Sequence, residues 1–112
     1  MISAKISKAT RKAVYRRDNY RCALCDSPKY IQIHHAIPRS HGGHPTSPMN
    51  LITLCSTCHA WAHGLYLEPG QPMPEDVEQA AVEYLADYYA PNWWPWRSNY
   101  HPGGFNPRKG GG

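Results

Sequence analysis

Residues 74–90 carry the clearest periodic pattern in the chain. Val77, Ala81, Tyr84 and Tyr88 recur at steps of four, three and four, the mark of one apolar helix face. Pro74 suits the first turn, Glu75 and Asp76 suit the positive end of the dipole, and Pro91 closes the element. A shorter helix is expected over residues 7–17, capped by Ser7, with Ala13 and Val14 turned inward. Between these helices the period drops to two. Lys29 to Ile37, with Ile31 and Ile33 two apart, reads as a strand, and Asn50 to Leu54 as a second short strand returning beside it. Pro38 to Pro48, with Gly42-Gly43 and three prolines, is a loop. Residues 56–63 read as a helix capped by Ser56 or Thr57 and stopped by Gly64. Residues 91–112 have no period and are expected to run as an irregular tail. The pattern as a whole belongs to the small α+β class.

Composition adds a constraint. Eleven prolines and nine glycines among 112 residues exceed the roughly 12% of average usage, and a mean hydropathy of -0.65 leaves little apolar surface to bury. A domain this small needs a metal, disulfides or a partner to hold it together. No apolar run approaches the roughly 18 residues of a membrane span, and no secretory signal pattern is visible. The expected compartment is therefore a reducing cytosol, where close cysteine pairs bind metal more often than they form disulfides.

Charge divides the chain. Residues 1–30 hold eight Lys/Arg against two acids, residues 31–67 hold Arg39 alone, residues 68–90 hold six acids and no base, and residues 91–112 hold three bases. Four segments follow: a basic arm and helix over 1–21, a Cys/His-rich core over 22–67, a linker and acidic amphipathic helix over 68–90, and a Trp/Pro/Gly-rich tail over 91–112. The arm is the candidate for polyanion contact. The acidic helix is expected to face away from a nucleic acid, and Trp93, Trp94, Trp96 and Tyr100 to serve packing or partner docking, with stacking on unpaired bases as the alternative.

Cys22-x2-Cys25 and Cys55-x2-Cys58 supply four soft ligands in the two-knuckle layout of tetrahedral zinc. Redox or disulfide roles are the alternative: a disulfide within either pair would close a strained short loop, and disulfides between the pairs would require an oxidising compartment. A structural zinc ion would make up for the small core by adding binding free energy to folding.

Six of the seven histidines fall between residues 34 and 63. His59 and His63, four apart on the expected helix, project from one face and suit a two-histidine metal clasp. His34 and His35, adjacent on a strand, point to opposite faces. That arrangement suits one imidazole on an ion and the other free to take a proton. His41 and His44 read as solvated loop residues.

Taken together, His34-His35-Ala-Ile-Pro-Arg-Ser-His-Gly-Gly, Asn50-Leu51 and Leu54-Cys55-x-x-Cys58-His59-x-x-x-His63 resemble the HNH endonuclease family with its ββα-metal (His-Me finger) fold. Val14-x-x-Arg17-Asp18-x-Tyr20-Arg21-Cys22-x-x-Cys25 resembles the entry into its zinc-bearing, four-cysteine members. The likeness spans about residues 8–64 and is similar in kind to small bacteriophage members. It implies that His35 is the general base activating water against a phosphodiester. It also implies that His34, His59 and His63 hold one catalytic divalent ion (Mg2+, Mn2+, Ni2+ or Zn2+), and that Asn50 keeps the loop in shape and orients His35 through a backbone hydrogen bond. DNA is the implied substrate, to be cut or nicked. A terminase or another phage packaging protein in the bacterial host cytosol is an implied partner.

Arg11, Lys12, Arg16, Arg17 and Arg21 are candidates for contacts to the DNA backbone, a term that salt weakens. Arg39, next to the histidine doublet, is a candidate phosphate clamp. The competing reading is a non-enzymatic zinc module that binds nucleic acid or protein, for which the four cysteines suffice. His34, His35, Asn50, His59 and His63 are superfluous to such a module.

Overall fold

The computed structural model describes residues 5–97. Helix α1 spans Lys8–Arg17 and begins where Ser7 Oγ accepts the Thr10 N–H at 3.1 Å, a side-chain N-cap. Strands β1 (Gln32–His35) and β2 (Leu51–Leu54) pair antiparallel, with His34 opposite Ile52 and His35 opposite Leu51. Helix α2 (Ser56–Ala62) follows β2 directly, and helix α3 (Pro74–Tyr89) completes the set. The result is a small α+β unit built on a two-stranded sheet. Among the described residues, no helix is long and apolar enough to cross a membrane.

Several elements differ from their sequence-based expectation. Strand β1 is shorter than 29–37 because Tyr30 takes a left-handed backbone, φ 53°, which breaks an extended run. Ala13 is exposed, and Val14 alone of α1 is fully buried. The cap of α2 is Cys55, whose Sγ accepts the Cys58 N–H at 3.5 Å, and neither Ser56 nor Thr57 takes that role. In α3 the buried residues are Val77, Ala81, Val82, Leu85 and Ala86, a stripe turned by about 80° from the expected one. Tyr84 and Tyr88 thus fall at its edge, where a phenol can keep its polar tip in contact with polar groups.

One ion pair ties these elements together. Arg17 and Asp18 meet in bidentate fashion, Nε to Oδ1 and NH2 to Oδ2 at 2.7 Å each. Asp18 also accepts the Thr53 N–H at 2.9 Å and the Tyr84 hydroxyl at 2.8 Å. Arg17 donates further to the carbonyls of Pro48 and Leu51 and to the Tyr89 hydroxyl. Those bonds occupy all five guanidinium donors. On the outer side of β2, Asp18 takes the Thr53 N–H and Ala23 donates to the Thr53 carbonyl at 2.9 Å, so this edge of the sheet is covered.

The first residues of the tail are part of the fold. Trp93 and Trp96 are buried in the core, and Trp93 Nε1 donates to the Met49 carbonyl at 2.8 Å. Trp96 bridges Gly43, flanked by His44 N to Pro95 O and Arg97 N to Gly42 O. The expected irregular tail therefore begins as a strap across the loop that follows β1. A Cβ on Gly43 would lie 2.0 Å from the Ile37 carbonyl oxygen and 2.7 Å from Asn50 Nδ2, so only glycine lets the loop close this tightly on its own start and on Asn50. Trp94 is exposed, and Tyr100 lies outside the described residues.

Candidate metal centres and active site

The turn after α1 presents Cys22 and Cys25, and the start of α2 presents Cys55 and Cys58. Their four sulfurs lie within 4.8 Å of one another, and Cys25 Sγ is 3.5 Å from Cys55 Sγ. All four are free thiols, since a disulfide would bring sulfurs to about 2.0 Å. Sulfurs each about 2.3 Å from a tetrahedral zinc stand about 3.8 Å apart, so the cluster fits that ion. Cys22, Cys55 and Cys58 are buried. Burial opposes ionisation of Cys22, but hydrogen bonds from the backbone of Cys55, Cys25 and Leu24 outweigh it and lower its pKa. Burial, and then the neighbouring Cys22 thiolate, push Cys58 well above the ordinary thiol range. Such a set becomes fully ionised only around a cation.

One residue further along, α2 turns to different chemistry. His34 from β1, His59 from α2 and His63 at its C-cap bring one ring nitrogen each to within 4.8 Å of the others. The Nε2 atoms of His59 and His63 are 3.1 Å apart, a separation that suits two nitrogens each about 2.1 Å from one ion. The three rings meet edge to face, with centroids 4.5 to 5.5 Å apart. Burial and then the positive charges of His59, His63 and His35 lower the His34 pKa to about 4. His59 is also lowered, by burial and by His63. Imidazoles held neutral keep their lone pairs for a metal.

His35 leaves the strand toward the loop, where its Nε2 lies 2.9 Å from the Pro45 carbonyl oxygen. A carbonyl can only accept, so Nε2 carries the proton and Nδ1 is the basic nitrogen. The turn that offers this carbonyl is shaped by His44, whose Nδ1 accepts the N–H groups of Thr46 and Ser47 at 3.1 and 3.0 Å. His44 is thus a structural member of the loop, contrary to the expectation of a solvated side chain, whereas His41 is exposed. Buried Asn50 accepts the Ile37 N–H at 2.8 Å and donates to the carbonyls of Ile37 and His44 at 3.0 Å each. Asn50 therefore acts one step behind His35: it fixes the loop, and Pro45 supplies the backbone contact.

These groups line a cleft of about 420 Å³ whose walls include His34, His35, Arg39, His59 and His63. Pro74, Glu75 and Glu78 from the start of α3 line it as well. The expectation that the acidic helix faces away from the site is corrected here. The linker after Gly64, where φ is +78°, turns the chain back so that the first turn of α3 packs beside α2. Nothing in the period of α3 signals this; the only local hint is the glycine stop that lets the chain reverse.

Residues 22–64 match the family model described as HNH endonuclease. This stretch is similar to HNH endonuclease domains. It contains both ligand clusters and the Asn50 loop, and it covers less than half of the chain. No curated protein and no solved structure gives a significant match. An HNH domain points to nuclease activity and to a nucleic-acid substrate.

Outside the matched stretch, the basic residues of the arm divide. Arg11, Lys12 and Arg16 on α1 are exposed, as is Arg21, which holds the Asp26 carbonyl and lies 3.7 Å from the Asp26 carboxylate. Arg17 does not belong with them. Its side chain is 5% exposed and its donors are all used internally, so it is a structural residue and no candidate for phosphate. Burial disfavours its charge, but the hydrogen bonds to Asp18 and Tyr89 more than offset that and raise its pKa.

Proposed function

We propose that the chain is a metal-dependent DNA endonuclease or nickase of the ββα-metal type. The observation that carries this reading is one cleft shared by a three-histidine ligand cluster and a separately oriented histidine. The order β1, β2, α2, with His34 and His35 on the first strand and His59 and His63 on or just past the helix, supports the core assignment.

In this reading His35 is the general base. Its Nε2 proton rests on the Pro45 carbonyl, so Nδ1 removes a proton from water as the water oxygen attacks phosphorus. The P–O3′ bond breaks, leaving a 5′-phosphate, and the 3′ oxygen is protonated by solvent. A divalent ion on His34, His59 and His63 would supply Lewis-acid stabilisation of the phosphate and of the departing oxygen. Arg39, on the same wall, would clamp a neighbouring phosphate oxygen. Arg11, Lys12, Arg16 and Arg21 would contribute attraction to the backbone that is insensitive to sequence. The four cysteines would hold a structural zinc. Genome processing or packaging in a bacteriophage, beside a terminase, is the setting implied by the sequence resemblance and rests on it alone.

The test is nicking and linearisation of supercoiled plasmid in Mg2+, Mn2+, Ni2+ and Zn2+, comparing wild type with His35→Ala. Loss of a general base lowers the rate by roughly 100-fold to 10,000-fold. No cleavage by wild type in any metal, or equal cleavage by a folded His35→Ala protein, overturns the reading in favour of a zinc-stabilised binding module.

A further inference from the structure

A second cleft, of about 530 Å³, is lined by Lys8, Ala9, Arg11, Lys12, Tyr15 and Tyr20. It shares no residue with the histidine cleft. Lys8, Arg11, Lys12 and Tyr15 stand at i, i+3, i+4 and i+7 and so form one stripe along α1. Three cations line this cleft and no carboxylate does.

Tyr20 reaches the stripe by an unusual backbone path. Asn19 and Tyr20 both take left-handed conformations, φ 60° and 56°, which L side chains adopt rarely. The reversal is sealed by the Tyr20 N–H bonding to the Tyr15 carbonyl at 2.8 Å. The backbone strain does not bury the ring: Tyr20 is 48% exposed. Instead its ring lies nearly parallel to Tyr15, at 24° with centroids 6.3 Å apart, at the end of a row of cations.

We infer that this face of α1 is a binding site for an unpaired nucleobase, with the base stacked on the Tyr15–Tyr20 platform and the adjoining phosphates on Lys8, Arg11 and Lys12. Aromatic faces beside a positive groove are the shared feature of single-strand binding surfaces. Inside a duplex both faces of every base are already stacked, so the site favours an unpaired end, gap or displaced strand. It rests on the nucleic-acid reading above and adds a preference for substrate structure, carried by residues outside the matched stretch.

The experiment is fluorescence anisotropy on full-length protein carrying His35→Ala, with a labelled single strand, its duplex, and the same single strand bearing abasic sites. The single strand is expected to bind at least about fivefold more tightly than the abasic strand. Tyr20→Leu, which keeps apolar bulk and the same backbone demand, is expected to abolish that difference and leave duplex affinity within about twofold. Tyr20→Phe is expected to retain the difference. Replacing Arg11 and Lys12 with Gln is expected to weaken both strands and to lower the salt slope on the single strand by about 1.4. Equal binding of intact and abasic strands, or an unaltered difference in Tyr20→Leu, overturns the stacking site and leaves the nuclease reading standing. Absence of binding to every oligonucleotide overturns both.

Discussion

The cysteine cluster and the histidine cluster share one short helix, yet their surroundings are opposite. Cys58 and His59 are consecutive, and successive helical side chains diverge by about 100°. One therefore turns into the core with Cys22 and Cys55, and the other into an open cleft. Four thiols that fill a tetrahedron leave no position for substrate, whereas three imidazoles leave room for water and phosphate. The same helix thus carries a closed site suited to holding the fold and an open site suited to chemistry, and placing one places the other.

Neighbouring substitutions separate the two most sharply. Cys58→Ser removes a ligand of the closed site, where a structural zinc would contribute on the order of 10 kcal/mol to folding. It is expected to unfold the chain, read as loss of the circular dichroism signal and of bound zinc. His59→Ala, one residue on, is expected to keep the fold and one zinc per chain. It is expected to lose the second ion and about 100-fold or more of cleavage, since such an ion would supply several kcal/mol. A His59→Ala protein that unfolds, or a Cys58→Ser protein that folds and cuts, ends the distinction.

A smaller effect tests the scaffold beneath both clusters. Arg17→Met leaves Asp18 buried without its cation, which costs about 3 to 5 kcal/mol, and chemical denaturation should register it. Arg16→Gln, the adjacent exposed position, should change stability by no more than about 0.5 kcal/mol and act on the salt dependence of DNA binding instead. Equal stability losses at the two positions would remove the assignment of Arg17 to the scaffold.

Arg16 and Arg17 also mark where the sequence stops being legible. The ligand spacings, the helices and the pairing of the two short strands follow from local pattern: Cys-x2-Cys twice, His59 and His63 four apart, Ser7 at a cap, Gly64 at a stop. Two adjacent arginines look alike locally, and only the arrival of Asp18, Tyr89 and the Pro48 and Leu51 carbonyls from distant segments decides between them. Trp93 and Trp96 do pack, as their expected role allows, but the strap of residues 93–97 that delivers them is not legible for the same reason. Trp93 and Trp96 sit in a Pro-rich stretch without period, and their burial depends on Met49 and Gly43, more than 40 residues earlier. His44 looks like a solvated loop residue in the sequence because its partners, the N–H groups of Thr46 and Ser47, belong to a turn that composition does not reveal.

Glu78 offers the subtlest test of the contrast, because it adds hard-ligand chemistry to one cluster and none to the other. It lies on the wall of the histidine cleft and outside the tight nitrogen cluster itself. Imidazoles favour zinc and nickel, whereas carboxylates favour magnesium and manganese, so an acidic wall pulls the open site toward the harder ions. A partly exposed carboxylate near a cation is worth about 1 kcal/mol or less. Glu78→Gln is therefore expected to weaken Mn2+ binding at the histidine site by up to about fivefold, to leave Zn2+ binding there nearly unchanged, and not to alter the thiol site at all. Isothermal titration on zinc-loaded protein measures the first two effects, and the retained zinc content measures the third. An unchanged Mn2+ affinity would mean that α3 closes the cleft sterically and leaves the choice of metal to His34, His59 and His63.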